Sequence, residues 1–407
     1  EVVYLEEGEI VTVTREGYTI KTLDNQLVEH PTNQVEWNIA EAEKQGYPHF
    51  MLKEIMEQPE VIMNGLRGRL VADEGIAHLG GFNEKHKEWR DIERIIIVAC
   101  GTAAYAAHVG EYILEEYAGI STEVEFASEF RYRKPVLDKK TAVIVVSQSG
   151  ETADTIASLR EAKRHDVLTF GIVNAVGSTI AREVGSGAYI HAGPEIAVAS
   201  TKVFVGMVNM FVLLALALGR QRTMSLVTGK RIADELLALP EKMKKVLEQK
   251  EHIFALAKKY TSYDHALFLG RKYNYPIAVE GAHKLKEISY VHAEGYPSGE
   301  LKHGALALID DRFYGLFIAP QDSVYDKSIS GIQQFKARKG RVIALTTEGN
   351  TEVEKMADDV IYIPKTLEML TPLLAVIPLQ LFAYQTAVLR GCDVDQPRNL
   401  AKSVTVE

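Results

Sequence analysis

Two cysteines in 407 residues, Cys100 and Cys392, leave no material for a disulfide framework, and no C-x-x-C pair or other metal-ligand spacing is present. Such scarcity fits a reducing, cytoplasmic compartment and predicts neither a disulfide nor a bound metal. Positive charge is also short, with 46 Lys and Arg against 55 Asp and Glu and a formal net charge of -9. That balance argues against a general nucleic-acid binder, so any anionic ligand must be held by local chemistry. No apolar run reaches the roughly 20 residues of a membrane span. The longest, Val203 to Gly219, contains Asn209 and reads as a buried core or interface helix. The opening "EVVYLEEGEI" lacks a basic stretch followed by an apolar one, so no secretory signal is expected. A first residue of Glu rather than Met suggests a processed chain or a piece of a longer one.

What is present is length enough for roughly two or three domains. Residues 1–30 carry three β-type runs, "VVYL", "EIVTVT" and "YTIKTL", separated by turn signals. So small a meander buries little by itself, and residues 1–75 read as the edge of an upstream domain followed by a linker. Within them "MLKEIMEQPEVIMNGLRGRL" has helical periodicity interrupted at Pro59. Farther on, strand-like and helix-like segments alternate, the mark of an α/β protein with a doubly wound parallel sheet covered on both faces. The pattern then recurs at an offset of about 172 residues. It aligns Ile97 with Leu269, Asp154 with Asp326, Gly219 with Gly391 and, one residue later, Glu195 with Glu368. Two tandem copies of one unit are predicted, over 86–226 and 257–397, leaving 398–407 as a tail.

The copies differ at one turn. "SQSGET", Ser147 to Thr152, corresponds to "APQDSV", Ala319 to Val324, which lacks the serines and glycine at those positions. In open parallel sheets ligands sit beyond the carboxyl ends of the strands. There the hydroxyls of Ser147, Ser149 and Thr152, unpaired N–H groups of a first helical turn and Gly150 would cradle a dianion. A serine nucleophile is disfavoured because no G-x-S-x-G frames either serine. A turn that merely satisfies itself with its own hydroxyls remains open. Glu151 suits a phosphate site only if its side chain points away into solvent. "ACGTAAY" offers Gly101 and Thr102 to the same crevice, while Cys100 reads as a buried structural thiol.

Glu280, Lys284, Glu287 and Val291 fall on one side of a helix. By themselves the charged members read as a solvated i, i+4 pair. His303 sits in a Gly-flanked loop, His283 and His292 have no motif support, and the tail "PRNLAKSVTVE" has no periodicity.

Together "SQSGETADT", "ASEFRYRKP", "EIAVASTK", "KLKEISYVHAEGYPSGELKHG" and "DVDQPRNLAKSVTVE" resemble the isomerase region of the glutamine:fructose-6-phosphate aminotransferase family. The resemblance covers essentially the whole chain and implies two flavodoxin-like SIS domains. It implies fructose 6-phosphate as substrate, glucosamine 6-phosphate as product and no cofactor. Ammonia would come from a glutaminase domain upstream, whose cysteine nucleophile is not in this chain. Carried onto this sequence, sugar-phosphate contacts fall on Gly101, Thr102, Ser147, Gln148, Ser149 and Thr152, with Val198 and Ser200 nearby. Ala103 stands where the family's pattern has a hydroxyl. Glu287 becomes the base with Lys284 beside it, and His303 reaches the neighbouring subunit of a homodimer. The tail folds over the site, Lys402 supplying an imine-forming amine under a desolvating cover and Ala401 packing alongside. Two other readings compete: a stand-alone phosphosugar isomerase or deaminase, and a non-catalytic sugar-phosphate-sensing module.

Overall fold

In Arg94–Ala99, Ile95 to Ala99 are all buried, as a strand must be when helices cover both faces of its sheet. The computed structural model describes residues 2–6, 8–32 and 43–405. Two compact units are present, Glu1–Gln45 and Gly46–Glu407.

In the first unit, β1 (Glu9–Val13), β2 (Tyr18–Thr22) and β3 (Leu27–Val28) form an antiparallel sheet in which Val11 faces Ile20 and Ile20 faces Val28. Of the expected runs, "VVYL" forms no strand, since only Val2 makes an isolated bridge; Leu27–Val28 supplies the third strand instead. A two-residue partner suffices there because the Thr22 N–H donates to the Gln26 carbonyl and closes the turn.

The second unit opens with the helices Phe50–Met56 and Gln58–Leu66, the break falling where Pro59 can occupy a first helical turn. A short antiparallel pair follows, β4 (Leu70–Val71) and β5 (Ile76–Ala77). Next come the five parallel strands β6 (Arg94–Ala99), β7 (Ser121–Phe126), β8 (Thr141–Ser147), β9 (Leu168–Val173) and β10 (Gly187–Tyr189). A second five, β11 (His265–Gly270), β12 (His292–Pro297), β13 (Phe313–Ile318), β14 (Arg341–Thr347) and β15 (Asp359–Ile363), are also parallel. Both sheets order their strands second, first, third, fourth, fifth. The recurrence read from the sequence is therefore a recurrence of topology, with "ALFLG" in the place of "IIIVA" and "RVIALTT" in that of "LTFGIV".

One apolar core runs through both copies, joining Ile97 and Phe204 to Phe268 and Phe382. The helices Lys202–Gln221 and Thr371–Leu389 lie inside it, which explains their length and apolarity without a membrane. Helix Gly101–Ala118 of the first copy packs against Asn274–Ser289 of the second. That contact brings the ends of two different sheets to one place.

Candidate active site

In a sheet ordered this way the first and third strands are neighbours whose connections leave in opposite directions, opening a crevice at their carboxyl ends. In the first copy these strands are β6 and β8, paired from Arg94 with Thr141 to Val98 with Val145. Gly101 and Thr102 follow β6, and the turn from Gln148 to Thr152 follows β8. Gly101 has φ 52°, a left-handed conformation, and starts the helix Gly101–Ala118. Ala103, one residue beyond Thr102, faces the apolar core.

The serine turn is tightly wired. Ser147 Oγ accepts from Gly150 N–H at 3.0 Å and hydrogen-bonds Thr152 Oγ1 at 3.0 Å, while Ser149 Oγ accepts from Glu151 N–H at 3.1 Å. The hydroxyls fold back onto the N–H groups of Gly150 and Glu151, and of the first helical turn Ala153 N–H is taken by the tail. Each hydroxyl still has donor and acceptor capacity to redirect to an anion. The Gln148 carbonyl accepts from Asn174 and Ala175 N–H, tying the turn to the end of β9. Glu151 does turn away from the cradle, but not into solvent. Its Oε1 accepts from Thr179 N–H at 2.7 Å, capping a neighbouring helix where a carboxylate is favoured. Gly150 has φ 66°, and a Cβ there would run into the side chain of Ser178. Gly150→Ala should destabilise the protein by about 2–5 kcal/mol, combining left-handed strain and overpacking. A thermal melt that matches wild type would contradict this.

Across the crevice, helix Asn274–Ser289 presents Glu280, Lys284 and Glu287. Lys284 is 1 % exposed and Glu280 0 %, so the reading of a solvated pair fails. Lys284 Nζ lies 2.6 Å from Glu287 Oε2 and 3.7 Å from Glu280 Oε1. Burial opposes the charge on Lys284, yet the two glutamates around it raise its pKa overall. Burial would likewise raise Glu287, but the Lys284 ammonium beside it holds that carboxyl below the usual value. Glu280 goes the other way. Burial pushes it up to about 8, leaving a protonated acid at neutral pH, and Thr102 Oγ1 donates to its Oε1 at 3.4 Å. One helix face thus carries an ionised base, an ammonium and a neutral acid, an arrangement suited to moving a proton. His283, which no motif singled out, stands 3.7 Å from Glu287 and edge-on to Tyr105; burial lowers it to about 4, so it is neutral.

The tail returns to the cradle. Ser403 Oγ donates to Ser149 Oγ at 3.2 Å, and Ala153 N–H, at the start of the helix after the serine turn, donates to the Val404 carbonyl at 3.1 Å. Between these contacts and the core, Lys402 Nζ donates to Glu195 Oε2 and to the Ala197 carbonyl, each at 2.7 Å. Glu195 is fully buried and also accepts from Thr201 and Val203 N–H; burial would raise its carboxyl, but Lys402 brings it below the usual value. The amine is therefore engaged by a buried carboxylate and must leave Glu195 before it can attack a carbonyl. Beside this loop Val198 N–H donates to the Asp395 carbonyl, and Ser200 Oγ is buried with no hydrogen-bond partner among the described residues.

Some expected members stay apart. His303 is exposed on the turn Glu300–His303, and no hydrogen bond or ion pair among the described residues joins it to Glu287 or Lys402. Ala401 is exposed, and the final two tail positions lie outside the described residues. Cys100 and Cys392 are free, and burial raises the Cys100 thiol, which suits an inert side chain. Among the described residues no cluster of potential metal ligands occurs.

Glu195 and Glu280 are the residues a motif-led reading underweights. The available signal was a lone carboxylate amid small and apolar residues, which is rarely buried unless paired. The repeat adds another: Glu368, aligned with Glu195, also holds a lysine, Lys272, at 3.1 Å.

The SIS domain family model matches this chain twice, over residues 89–217 and 259–390. Over all 407 residues the chain is 51% identical to the isomerizing glutamine–fructose-6-phosphate aminotransferase of Chlorobaculum tepidum, covering 66% of that protein. It is 49% identical over 407 residues to the protein of the same name from Thermus thermophilus, covering 67% of it. Among solved structures, the C-terminal domain of glucosamine-fructose-6-phosphate aminotransferase from Francisella tularensis matches 87% of this chain and 99% of its own, with a TM-score of 0.82 and 37% identity. The glucosamine-6-phosphate deaminase of Thermotoga maritima, at 21% identity and a TM-score of 0.67 over 88% of this chain and 99% of its own, shares the fold.

Proposed function

The chain belongs to the SIS-domain family as one of the glutamine–fructose-6-phosphate aminotransferases, and from that premise we propose that it carries out the sugar half of their reaction. In this reading the phosphate of fructose 6-phosphate lies against Ser147, Ser149, Thr152 and the helix N-termini at the first copy's crevice. Gly101, Thr102, Gln148, Val198 and Ser200 line its sugar. Lys402 adds through Nζ to the C2 carbonyl of the open-chain ketose, whose oxygen leaves as water, giving an imine. Glu287 takes a proton from C1, and a proton is returned at C2, which turns the ketose skeleton into an aldose skeleton. Ammonia would displace the lysine nitrogen while C2 is still an imine, before the proton shift, and the shift would then give glucosamine 6-phosphate; without ammonia, the same shift on the open-chain ketose itself, through an enediol, would give glucose 6-phosphate. His303, exposed in the single chain, acts on ring opening from the neighbouring subunit of a homodimer. A glutaminase domain supplies the ammonia, and the setting is cytoplasmic.

The observation that carries this reading is the double attachment of the tail. Ser403 and Val404 fasten it to the phosphate cradle while Lys402 enters the charged cluster that ends at Glu287. A sensing module would have no use for a buried ionised base beside a retained amine. The test is to incubate the chain with fructose 6-phosphate and follow glucose 6-phosphate, then to add an ammonium salt and follow the amino sugar. Neither product appearing would return the sensing reading. In the same assay Ser149→Ala should raise KM by about tenfold, one hydrogen bond to a charged group, with kcat changed less. A fall in kcat with KM unchanged would place the serine in the chemistry instead.

A further inference from the structure

We propose that Glu54, on the helix Phe50–Met56 ahead of the first copy, is a positioning residue for Lys402: it fixes the segment 195–197 that presents two acceptors to the amine. This rests on the reading of Lys402 as the amine that meets the sugar.

Glu54 Oε1 accepts from Ile196 N–H at 2.5 Å and from Ala197 N–H at 3.2 Å. Residue 197 is thus bonded through its N–H to Glu54 and through its carbonyl to Lys402. The helix bearing Glu54 is fastened at both ends to the segments that build the site. At its start, Phe50 and Met51 N–H donate to Asp395, whose carbonyl accepts from Val198 N–H. Near its end, Glu57 pairs with Lys202, the first residue of the helix that follows the 198–200 loop, at 2.7 Å. Glu54 is itself buried beside Met51, Leu52 and Ile55, a place where a carboxylate needs a reason to be kept.

The charge state follows from the surroundings. Glu54 faces Glu195 from the loop and Lys402 from the tail, with Lys53 and Glu57 on its own helix and Lys202 opposite. Burial and the Glu195 charge push its carboxyl up to about 8. At neutral pH it is a neutral acid that accepts two N–H bonds, and Lys402 has a single carboxylate to leave. Above that pH a second anion forms beside Glu195, the ammonium is held more tightly, and transfer to the sugar slows.

The experiment compares wild type, Glu54→Gln and Glu54→Ala. Each is incubated with fructose 6-phosphate and borohydride, the Lys402 peptide is weighed for the reduced adduct, and sugar-phosphate affinity is measured by calorimetry. Glu54→Ala should lower the adduct rate and kcat about tenfold or more, while affinity shifts less than about threefold. Glu54→Gln, which keeps the accepting oxygen and cannot ionise, should recover most of that loss and flatten the fall in activity above neutral pH. If wild type forms the adduct and Glu54→Ala forms it equally fast, the positioning role is wrong while Lys402 stands. Should Glu54→Ala not fold, the Gln variant decides: an unchanged alkaline fall overturns the proposal. Wild type giving no adduct on Lys402 overturns both.

Discussion

Lys402→Ala should abolish conversion of fructose 6-phosphate and ammonia to the amino sugar, by roughly a thousandfold or more, while sugar-phosphate binding stays within a few-fold of wild type. The two halves of this expectation come from different contacts. The tail is joined to the cradle by the Ser403 hydroxyl and the Val404 carbonyl, neither of which the substitution removes. Glu195 loses its ammonium but keeps the Thr201 and Val203 N–H groups, so its buried charge is not left bare. What disappears is the amine. Turnover is followed as glucosamine 6-phosphate with an ammonium salt present and binding by calorimetry; full residual turnover would remove Lys402 from the chemistry, and loss of binding would make it a structural latch.

Glu287→Gln should cost about 10²–10⁴ in kcat, the usual range for a positioned general base. The amide keeps the volume and one acceptor for Lys284, so the fold should survive and KM should change little. The sharper readout is exchange of the C1 hydrogen in deuterated water, which needs only proton removal and return. Exchange should stop in Glu287→Gln. Exchange persisting at the wild-type rate would shift the base to another group, with Glu280, which burial leaves protonated at neutral pH, the least suited of its neighbours.

Much of this architecture was legible in the sequence because parallel strands buried on both faces advertise themselves. "IIIVA" and "VIVV" cannot be solvent-facing, and their recurrence foretold two sheets of the same order. The turn after β8 was legible for a similar reason: a strand running into Ser, Gly and Thr before a helix marks a hydroxyl-rich turn, whose groups then bond one another and the turn's own N–H groups. The charged helix was harder. Spacing puts Glu280, Lys284 and Glu287 on one side, but only the packing of helix Gly101–Ala118 against it decides that the side is interior. Wiring was the least legible. Glu151 capping Thr179, Glu54 reaching Ile196 and Lys402 meeting Glu195 join positions far apart in the chain, and no local pattern encodes such distances. The segment "VVYL" failed for the opposite reason: β-branched residues favour a strand but cannot supply the partner that makes one.

The likeness of the two sheets sets a stoichiometry. Both copies offer a crevice between first and third strands, so the fold by itself allows two sugar phosphates per chain. In the second crevice the turn is closed by its own groups: Asp322 takes the Val324 N–H, Thr347 the Gln321 N–H and Glu368 the Ser323 hydroxyl. Burial raises Asp322 only to about 6, so it is an anion at neutral pH where a phosphate would have to sit. If the first crevice is the one that takes the dianion, its duplicate is built to repel it, and the molecule should saturate at a single equivalent of ligand.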